Sequence, residues 1–325
     1  MPPQRKLKHV KLQRIPLIQS PTPLHRLNRM SDELGIDLWI KRDDLTGLAM
    51  GGNKGRKLEY LMADVKASGA EVVVTCGAAQ SNFIRQLGAA CSMLGIKCAA
   101  AIMAMPFEIA SPDVVRTLGY KGNLVLDRIL GIDLRTFSDG TWEALYAHAE
   151  NLALEYEASG LKTYRIPVGG SSPIGAYAFL EAVRELDRPF DTVVFASSSG
   201  STHTGLSFGF HGTNTRVLGI ACDPEPEIAN DFAVLAQSLR ELVPDGPDMA
   251  ASDFDLDFDF VGPGYGIPSE AGNSAIERLA RTEGIFLDPI YSGKAFAGLL
   301  ALVDAGKLKG SGLFWHTGGT PALFV

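Results

Sequence analysis

A lysine that directly follows the sequence Gly-Gly-Asn has the most distinctive chemical setting in this chain. Lys54 stands just before a helical pattern whose apolar residues begin at Leu58. The positive end of the helix dipole, together with the neighbouring Arg56 and Lys57, disfavours the protonated form of Lys54. A neutral lysine amine is the form that makes an imine with a carbonyl carbon. A solvated surface lysine is the alternative, but the paired glycines cost chain entropy without a packing gain. We therefore predict that Lys54 forms an imine.

A second polar group lies where a predicted strand gives way to a helix. Ser81, Asn82 and the free N–H groups at the start of that helix form a site suited to a carboxylate. The Asn82 amide can also donate a hydrogen bond to a phenolate oxygen. A capping serine beside an ordinary polar neighbour is the alternative interpretation.

A third polar segment, from Ala196 to Gly205, places small hydroxyl residues and glycine between a strand and a helix. Its N–H and O–H groups can surround a phosphate. It lacks the Gly-Lys-Ser/Thr of a nucleotide P-loop, and the chain contains no GxGxxG, which argues against a nucleotide-dependent oxidoreductase. His203, within the segment, is expected to be structural. Together with an imine-forming lysine and a carboxylate site, this loop predicts pyridoxal 5′-phosphate as the cofactor.

These sites need elements that bring them together, and the chain alternates short apolar runs with amphipathic patterns. Strands are predicted at residues 38–41, 71–75, 96–103, 163–166, 192–196, 217–221 and 312–316. Helices are predicted at residues 58–65, 84–94, about 174–186, after 202, at 270–282 and at 294–304. This alternation indicates an α/β fold whose mostly parallel sheets are covered by helices on both faces. Several glycine clusters fall at strand ends, where open α/β sheets bind ligands.

The length of the chain bears on its division into domains. At 325 residues it exceeds what one core usually holds, which favours two domains. We expect a larger, cofactor-binding domain of residues 1–50 plus 163–325. A smaller domain of residues 51–162 would carry Lys54 and the carboxylate site, and the cofactor would lie in the cleft between the two.

Composition and charge argue against several classes of partner. Thirty Lys and Arg residues against 37 Asp and Glu give a formal net charge of −7, which argues against nucleic acid. The longest apolar stretch, residues 98–107, is about half the length of a membrane span, so no membrane segment is expected. Residues 1–14 are basic and contain no acidic side chain, and no apolar segment follows them, which favours a cytoplasmic protein over a secreted one.

The cysteine and carboxylate patterns do not indicate a metal site. The cysteines form no CxxC pair and have no companion His at ligand spacing, so we expect them to be reduced and buried. They are Cys76, Cys91, Cys98 and Cys222. Asp43 and Asp44 are interpreted as an ion-pair cluster with Lys41 and Arg42, and His316 as a core histidine.

Seven motifs, taken in order, resemble one family of pyridoxal-phosphate enzymes. They are Lys41–Glu59, Gln80-Ser81-Asn82, Pro167–Ser171, Gly200–His203, Gly264–Pro268, Leu287–Lys294 and His316–Gly319. This pattern is similar to the D-cysteine desulfhydrase / 1-aminocyclopropane-1-carboxylate (ACC) deaminase family, which has the tryptophan-synthase-β-like architecture called fold type II. The resemblance extends over nearly the whole chain.

The resemblance implies a role for individual residues. Lys54 matches the Schiff-base lysine. Ser81 and Asn82 match the pair that holds the substrate carboxylate and the pyridine 3′-oxygen. Tyr265 and Tyr291 match two tyrosines beside the substrate, where a phenol can donate, accept or attack.

Further residues are implied in binding. The phosphate loop would consist of Ser199, Gly200, Ser201 and Thr202. Gln80 and Gly170 would help to bind the substrate, and the Gly169-Gly170 and Thr317-Gly318 segments would line the cofactor face. The resemblance also implies a homodimer.

Two departures from the family pattern bear on the substrate. ACC deaminases carry Glu directly after the tyrosine of their Asp-Pro-Ile/Val-Tyr motif, where this chain has Ser292. A carboxylate opposite the pyridine nitrogen keeps that nitrogen protonated, which makes the ring the strong electron sink that cyclopropane opening needs. A hydroxyl suffices for β-elimination, in which an anion leaves Cβ. Phe83 stands where related desulfhydrases usually carry His, which leaves L-cysteate, with sulfite as leaving group, as an alternative substrate.

The sequence therefore predicts a pyridoxal-phosphate-dependent lyase that acts on a small β-substituted amino acid. The favoured reaction is the conversion of D-cysteine into pyruvate, ammonia and hydrogen sulfide. An L-cysteate sulfo-lyase and an ACC deaminase are the alternatives on the same scaffold. A non-catalytic protein that binds pyridoxal phosphate or an amino acid is the alternative from a different class.

Overall fold

The computed structural model describes residues 11–104, 121–138 and 140–325. Most of the basic segment at residues 1–14, and the end of the apolar stretch at residues 98–107, lie outside these ranges. Within them, no helix has both the length and the apolar character needed to cross a membrane.

The secondary structure alternates between strands and helices. The strands are β1 (Leu24–Arg26), β2 (Asp37–Arg42), β3 (Val72–Ala78), β4 (Lys97–Met103), β5 (Asp133–Thr136), β6 (Thr163–Arg165), β7 (Thr192–Ser197), β8 (Arg216–Ala221), β9 (Asp255–Asp257) and β10 (Ser311–His316). The helices are α1 (Asn28–Leu34), α2 (Lys54–Ser68), α3 (Asn82–Leu94), α4 (Gly122–Ile129), α5 (Trp142–Ala158), α6 (Pro173–Val183), α7 (Ser201–Phe210), α8 (Ile228–Leu242), α9 (Glu270–Glu283) and α10 (Ser292–Asp304). Every strand and helix predicted from the sequence has a counterpart here.

The larger sheet has the strand order β1-β2-β10-β7-β8-β9, and only the β1–β2 pair is antiparallel. Neighbouring residues of its central strands point to opposite faces, and most of them are buried. Phe195 and Leu313 pack with Phe179 of α6, whereas Val194 and Phe314 pack on the other face with residues of α9 and α10. The sheet is therefore covered on both sides, as its continuously apolar strands predict.

The smaller sheet has the strand order β5-β4-β3-β6 and is parallel throughout. Residues of α2 and α3 cover one face, and residues of α5 cover the other. Its edge strand β6 pairs through residues 163–165 with residues 72–74. The predicted boundary assigns residue 163 to the larger domain, but this strand belongs to the smaller sheet. The division between the sheets therefore falls after residue 165. The sequence alone does not reveal which strands pair, so it could not place this boundary.

The two sheets present their carboxyl ends to a common space. Residues at the ends of β3, β7 and β10 line one cavity, as do the starts of α2 and α3. This is the position that open α/β sheets offer to ligands. The fold thus brings together the three polar groups that the sequence singles out.

Candidate active site

A cavity of about 450 Å³ contains most of the predicted site residues. The predicted residues that line it are Lys54, Ser81, Asn82, Ser199, Gly200, Thr202, Tyr265 and Tyr291. Gly169, Thr317 and Gly318 also line it, as the resemblance implies. Gln80, Gly170, Ser201 and Ser292 lie close by but are not part of the cavity wall.

Lys54 is the first residue of α2 and reaches into this cavity. Burial lowers the pKa of Lys54 to about 8, so a substantial fraction of the amine is neutral near pH 7 to 8. Lys57, one helical turn further on, is fully buried, and its side-chain nitrogen donates to the Gly169 carbonyl at 3.1 Å. Burial, with the nearby Lys54, lowers the pKa of Lys57 well below its usual value.

The expectation that Arg56 and Lys57 depress the pKa of Lys54 is wrong, because only burial lowers it and the hydrogen bond with Lys57 raises it. The Arg56 guanidinium points away and pairs with Asp43 at 2.7 Å and with Glu185 at 2.6 Å. Desolvation is therefore the main cause of the low pKa of Lys54. The predicted pair of Asp44 with Arg42 is confirmed at 2.6 Å. Asp43 is also ion-paired, but with Arg56 rather than Lys41, which pairs with Glu185 at 2.6 Å.

Ser81 and Asn82 begin α3 at the cavity wall. Ser81 caps the helix, because its hydroxyl accepts a hydrogen bond from the Ile84 N–H at 3.3 Å. The N–H groups of Asn82 and Phe83, which precede Ile84 in the first turn, have no partner within the helix, so they remain available to an anion. The side-chain oxygen of Asn82 accepts from Arg85 at 2.9 Å and from Asn123 at 3.0 Å.

Two residues that the resemblance implies in substrate binding do not face the cavity. The Gln80 side-chain oxygen accepts the Asn123 N–H at 2.8 Å, and its amide nitrogen donates to the Lys121 carbonyl at 3.3 Å. Gln80 therefore holds the start of α4 rather than facing the cavity. Gly170 has a φ of +63°, and a Cβ there would lie 2.8 Å from the ring of Phe83. Phe83 itself lines the cavity.

The loop between β7 and α7 suits a phosphate. Gly200 has a φ of +98°, and a Cβ there would lie 2.7 Å from the Phe232 ring. No side chain caps the N-terminus of α7, so the N–H groups of its first turn are free to bind an anion. The buried hydroxyl of Ser201 has no hydrogen-bond partner among the described residues. Ser199 and Thr202 add hydroxyl groups at the cavity wall, so the loop fits the phosphate of a small cofactor.

Tyr265 and Tyr291 form a directly bonded pair on another wall of the cavity. Their phenol oxygens are 2.7 Å apart. Burial raises the pKa of both hydroxyl groups far above neutrality, so both phenols are protonated at physiological pH. The pair can therefore donate a proton into the cavity but does not carry a resident negative charge.

Ser292 begins α10 beneath this pair. Its hydroxyl is fully buried, donates to the Asp288 carboxylate at 2.6 Å and accepts the Asp288 N–H at 2.8 Å. The Gly318 carbonyl, which belongs to a residue of the cavity wall, lies 3.4 Å from the same hydroxyl. Asp288 thus fixes the rotamer of Ser292.

Sequence reasoning missed Asp223 as a residue of the site. Asp223 follows β8, lines the cavity and is only 7% exposed. Ser198 donates to one of its oxygens at 2.6 Å, and the other oxygen has no partner among the described residues. Burial raises the pKa of Asp223 to about 7. Its position at the carboxyl end of a predicted strand was the available signal.

Both histidines that the sequence analysis interprets as structural are buried. The His203 ring packs against Phe195, Phe232 and Phe254, and burial lowers its pKa to about 3. His316 contacts the Phe286 carbonyl at 3.0 Å.

Within the described ranges, no cluster of three or more His, Cys, Asp or Glu side chains could hold a metal. All four cysteines are buried free thiols, as predicted.

Proteins of known family resemble this chain in sequence and in structure. Residues 15–318 match the family described as "Pyridoxal-phosphate dependent enzyme". The chain belongs to this family. Pyridoxal phosphate is accordingly its cofactor, which agrees with the lysine, phosphate loop and anion site described above.

Two curated relatives are named D-cysteine desulfhydrase. The protein of Yersinia enterocolitica is 40% identical and covers 96% of this chain and 95% of its own length. The protein of Klebsiella pneumoniae is 39% identical with the same coverage of both chains.

Solved structures confirm the fold. A structure described as an ACC deaminase homologue is 37% identical, covers 97% of this chain and 94% of its own, and has a TM-score of 0.87. An O-ureido-L-serine synthase structure has a TM-score of 0.63 at 18% identity, covering 93% of this chain and 90% of its own, and supports the shared fold alone. The chain has the predicted fold type II architecture of two mostly parallel sheets.

Proposed function

We propose that this protein is a lyase that converts D-cysteine and water into pyruvate, ammonia and hydrogen sulfide. The observation that carries the proposal is the near full-length identity of about 40% to proteins named D-cysteine desulfhydrase. The cavity contains side chains suited to each requirement of that reaction. The two sheets would form two domains, with the cofactor between them.

The cofactor would be held by elements from both sheets. The α7 N-terminus with Ser199, Gly200, Ser201 and Thr202 would bind the phosphate, and Lys54 would bind the aldehyde carbon. Asn82 would donate to the 3′-oxygen, and Ser292 would lie towards the pyridine nitrogen. When bound, pyridoxal phosphate supplies a carbonyl for imine exchange and a ring that accepts electrons as Cα loses its proton.

The α3 N-terminus would fix the substrate, and Lys54 would move the proton at Cα. The free N–H groups of α3 and the Ser81 hydroxyl would bind the substrate carboxylate. Because its pKa is about 8, the amine of Lys54 can accept a proton near neutral pH and return it. Gln80 and Gly170 would support this site from behind its wall.

The tyrosine pair would assist departure of the leaving group. A proton donor assists the sulfur that leaves Cβ, because it lets that sulfur depart as hydrogen sulfide rather than as an anion, and both phenols remain protonated at neutral pH. The 2.7 Å bond between Tyr265 and Tyr291 would let one phenol donate while the other orients it.

ACC deaminase activity is a second candidate because the ACC deaminase homologue structure superposes so closely. Ser292 argues against it, since its hydroxyl cannot hold the pyridine nitrogen protonated as a carboxylate would. L-cysteate remains a further candidate because Phe83, which lines the cavity, stands where related desulfhydrases usually carry His. A non-catalytic binding protein would have no need of a buried lysine with a lowered pKa beside a protonated tyrosine pair.

A substrate panel separates these candidates. The holoenzyme is assayed with D-cysteine, L-cysteine, L-cysteate, β-chloro-D-alanine, D-serine and ACC, and keto acid, ammonia and sulfur products are measured. D-cysteine is expected to give the highest kcat/KM among the sulfur substrates, and ACC to give little or no 2-oxobutyrate. Sulfite from L-cysteate as the main activity, or ACC as the best substrate, would replace the proposal with the corresponding alternative. Absence of turnover with all six would favour the binding protein.

We also propose a cytoplasmic homodimer. The buried free thiols fit a reducing compartment, and the family resemblance implies a dimer. Light scattering coupled to gel filtration tests the oligomeric state, and a monomeric mass at assay concentration would contradict it.

A further inference from the structure

Arg85 determines which atom of the Asn82 amide faces the cavity. An arginine side chain has only hydrogen-bond donors, so the Asn82 atom that it contacts at 2.9 Å must be the oxygen. The Asn123 amide nitrogen donates to the same oxygen at 3.0 Å. The Asn82 amide nitrogen has no partner among the described residues and belongs to a residue of the cavity wall. Asn82 therefore presents a donor, not an acceptor, to a bound molecule.

The surroundings hold Arg85 in this position. Its side chain is fully buried in α3, and it donates to the Gly51 carbonyl at 2.8 Å and to the side-chain oxygen of Asn123. Burial lowers the pKa of Arg85 to about 10, which still leaves the guanidinium charged at neutral pH. Asp127 is buried nearby, and burial raises its pKa to about 7.

Gln80 and Asn123 complete the arrangement from the other side. The Asn123 amide nitrogen, besides contacting Asn82, donates to the Gln80 carbonyl at 2.7 Å. The Gln80 side-chain oxygen accepts the Asn123 N–H. These hydrogen bonds therefore fix the orientation of the side-chain amides of Asn82, Asn123 and Gln80. The Arg85 guanidinium, which can only donate, determines the direction of the first bond.

We propose that Arg85 and Asn123 are positioning residues that hold the Asn82 amide as a donor to the 3′-oxygen of pyridoxal phosphate and thereby favour its ionised form. The proposal rests on the proposed role of Asn82 in cofactor binding. A cation bonded to the amide oxygen polarises the amide and strengthens its N–H as a donor. A phenolate gains more from such a donor than a neutral phenol does.

The bound cofactor's visible absorbance reports this effect without any turnover. Arg85→Met removes the guanidinium and frees the Asn82 amide to rotate. We expect the pH midpoint of the absorbance change to rise by about one unit and the Kd for pyridoxal phosphate to rise about tenfold. Arg85→Lys, which retains a donor, should lie between wild type and Arg85→Met. Asn123→Leu, which leaves Arg85 in place, should shift both quantities in the same direction by less.

A control and a double variant distinguish positioning from general damage to the fold. Arg56→Met removes another buried arginine that does not contact Asn82, so it should lower stability without moving the absorbance midpoint. Asn82→Leu should produce the full shift, and adding Arg85→Met to it should change the midpoint no further.

Three outcomes would overturn the proposal. They are an unchanged midpoint in Arg85→Met, full additivity with Asn82→Leu, or the same shift in Arg56→Met. If Arg85→Met does not fold, an unchanged midpoint in Asn123→Leu overturns it instead. Failure of the proposed D-cysteine activity would leave these cofactor measurements intact, so the two failures are distinguishable.

Discussion

At the scale of single residues, burial accounts for most of the chemistry. Lys54 becomes a usable amine because it is desolvated, not because other cations crowd it. The tyrosine pair stays protonated for the same reason, since an anion in that wall would lose its hydration. A sequence shows which residues could react but does not show how each side chain is solvated. The lysine was therefore predictable, whereas the cause of its low pKa was not.

Loss of the Lys54 amine should abolish turnover but not all cofactor binding. In Lys54→Ala, kcat for D-cysteine should fall by several orders of magnitude, because both imine exchange and proton transfer at Cα are lost. The phosphate loop should still retain some pyridoxal phosphate, measurable by dialysis and absorbance. Lys66→Ala, at an exposed lysine of the same helix, should behave as wild type. Turnover of Lys54→Ala within about tenfold of wild type would remove Lys54 from its proposed role.

The tyrosine pair can be tested by varying the leaving group. Tyr265→Phe and Tyr291→Phe should each lower kcat for D-cysteine, one of them by about a hundredfold or more, because a proton donor to sulfur is lost. β-chloro-D-alanine expels chloride, which needs no proton, so the same variants should lose less than about tenfold with it. Equal losses with both substrates would contradict proton donation by the pair and would indicate a role in binding.

At the scale of elements, regular apolar patterns predicted the strands and helices well. Contacts between residues far apart in the sequence could not be predicted. The central strands are continuous apolar patterns, and all of them were predicted. Helix α5 was missed because it buries only Leu145, Leu152 and Ala153 of its 17 residues, so its apolar periodicity is weak. The contact between Arg85 and Asn123 joins residues 38 positions apart, and no local pattern predicts it.

The turn before α7 should tolerate no side chain at Gly200. Gly200→Ala combines a positive φ with a Cβ that would lie 2.7 Å from the Phe232 ring. The loop would have to move, so the Kd for pyridoxal phosphate should rise at least about tenfold. Gly212→Ala is the matched control, because its φ of +75° imposes similar strain while no atom lies within 4 Å of the added Cβ. A similar Kd in both variants would show that the cavity does not depend on the shape of this turn.

At the scale of the whole molecule, the buried histidines link stability to pH. The pKa of His203 falls to about 3 on folding because its ring is desolvated. Its contribution to stability is therefore complete above the unfolded-state pKa of about 6.5 and is lost as the pH falls below it. Burial lowers the pKa of His316 as well, which acts in the same direction.

Replacing His203 should flatten the loss of stability in acid. Urea unfolding of cofactor-free protein is compared at pH 6.5 and pH 4. His203→Leu should reduce the difference in unfolding free energy between these pH values by up to about 3 kcal/mol, even if the variant is less stable at neutral pH. His25→Leu, at an exposed histidine, should leave the difference unchanged. An identical acid dependence in wild type and His203→Leu would contradict this account.

Two domains were predicted from the chain length and parallel sheets from strand–helix alternation, but neither signal showed which sheet β6 joins. Strand β6 joins the smaller sheet through hydrogen bonds to β3, and its three residues resemble those of any other short strand. The cavity lies between the carboxyl ends of both sheets. The residues that line it therefore depend on strand pairing, which only the folded molecule shows. The reaction assigned to it is therefore best tested on the intact holoenzyme.

The most direct test of the central claim is the product stoichiometry from D-cysteine. Sulfide, pyruvate and ammonia are measured together in one reaction of the pyridoxal-phosphate-loaded protein, with Lys54→Ala as the blank. The account predicts equal amounts of all three, released faster from D-cysteine than from L-cysteine. Pyruvate without sulfide, or no product above the Lys54→Ala blank, would contradict it.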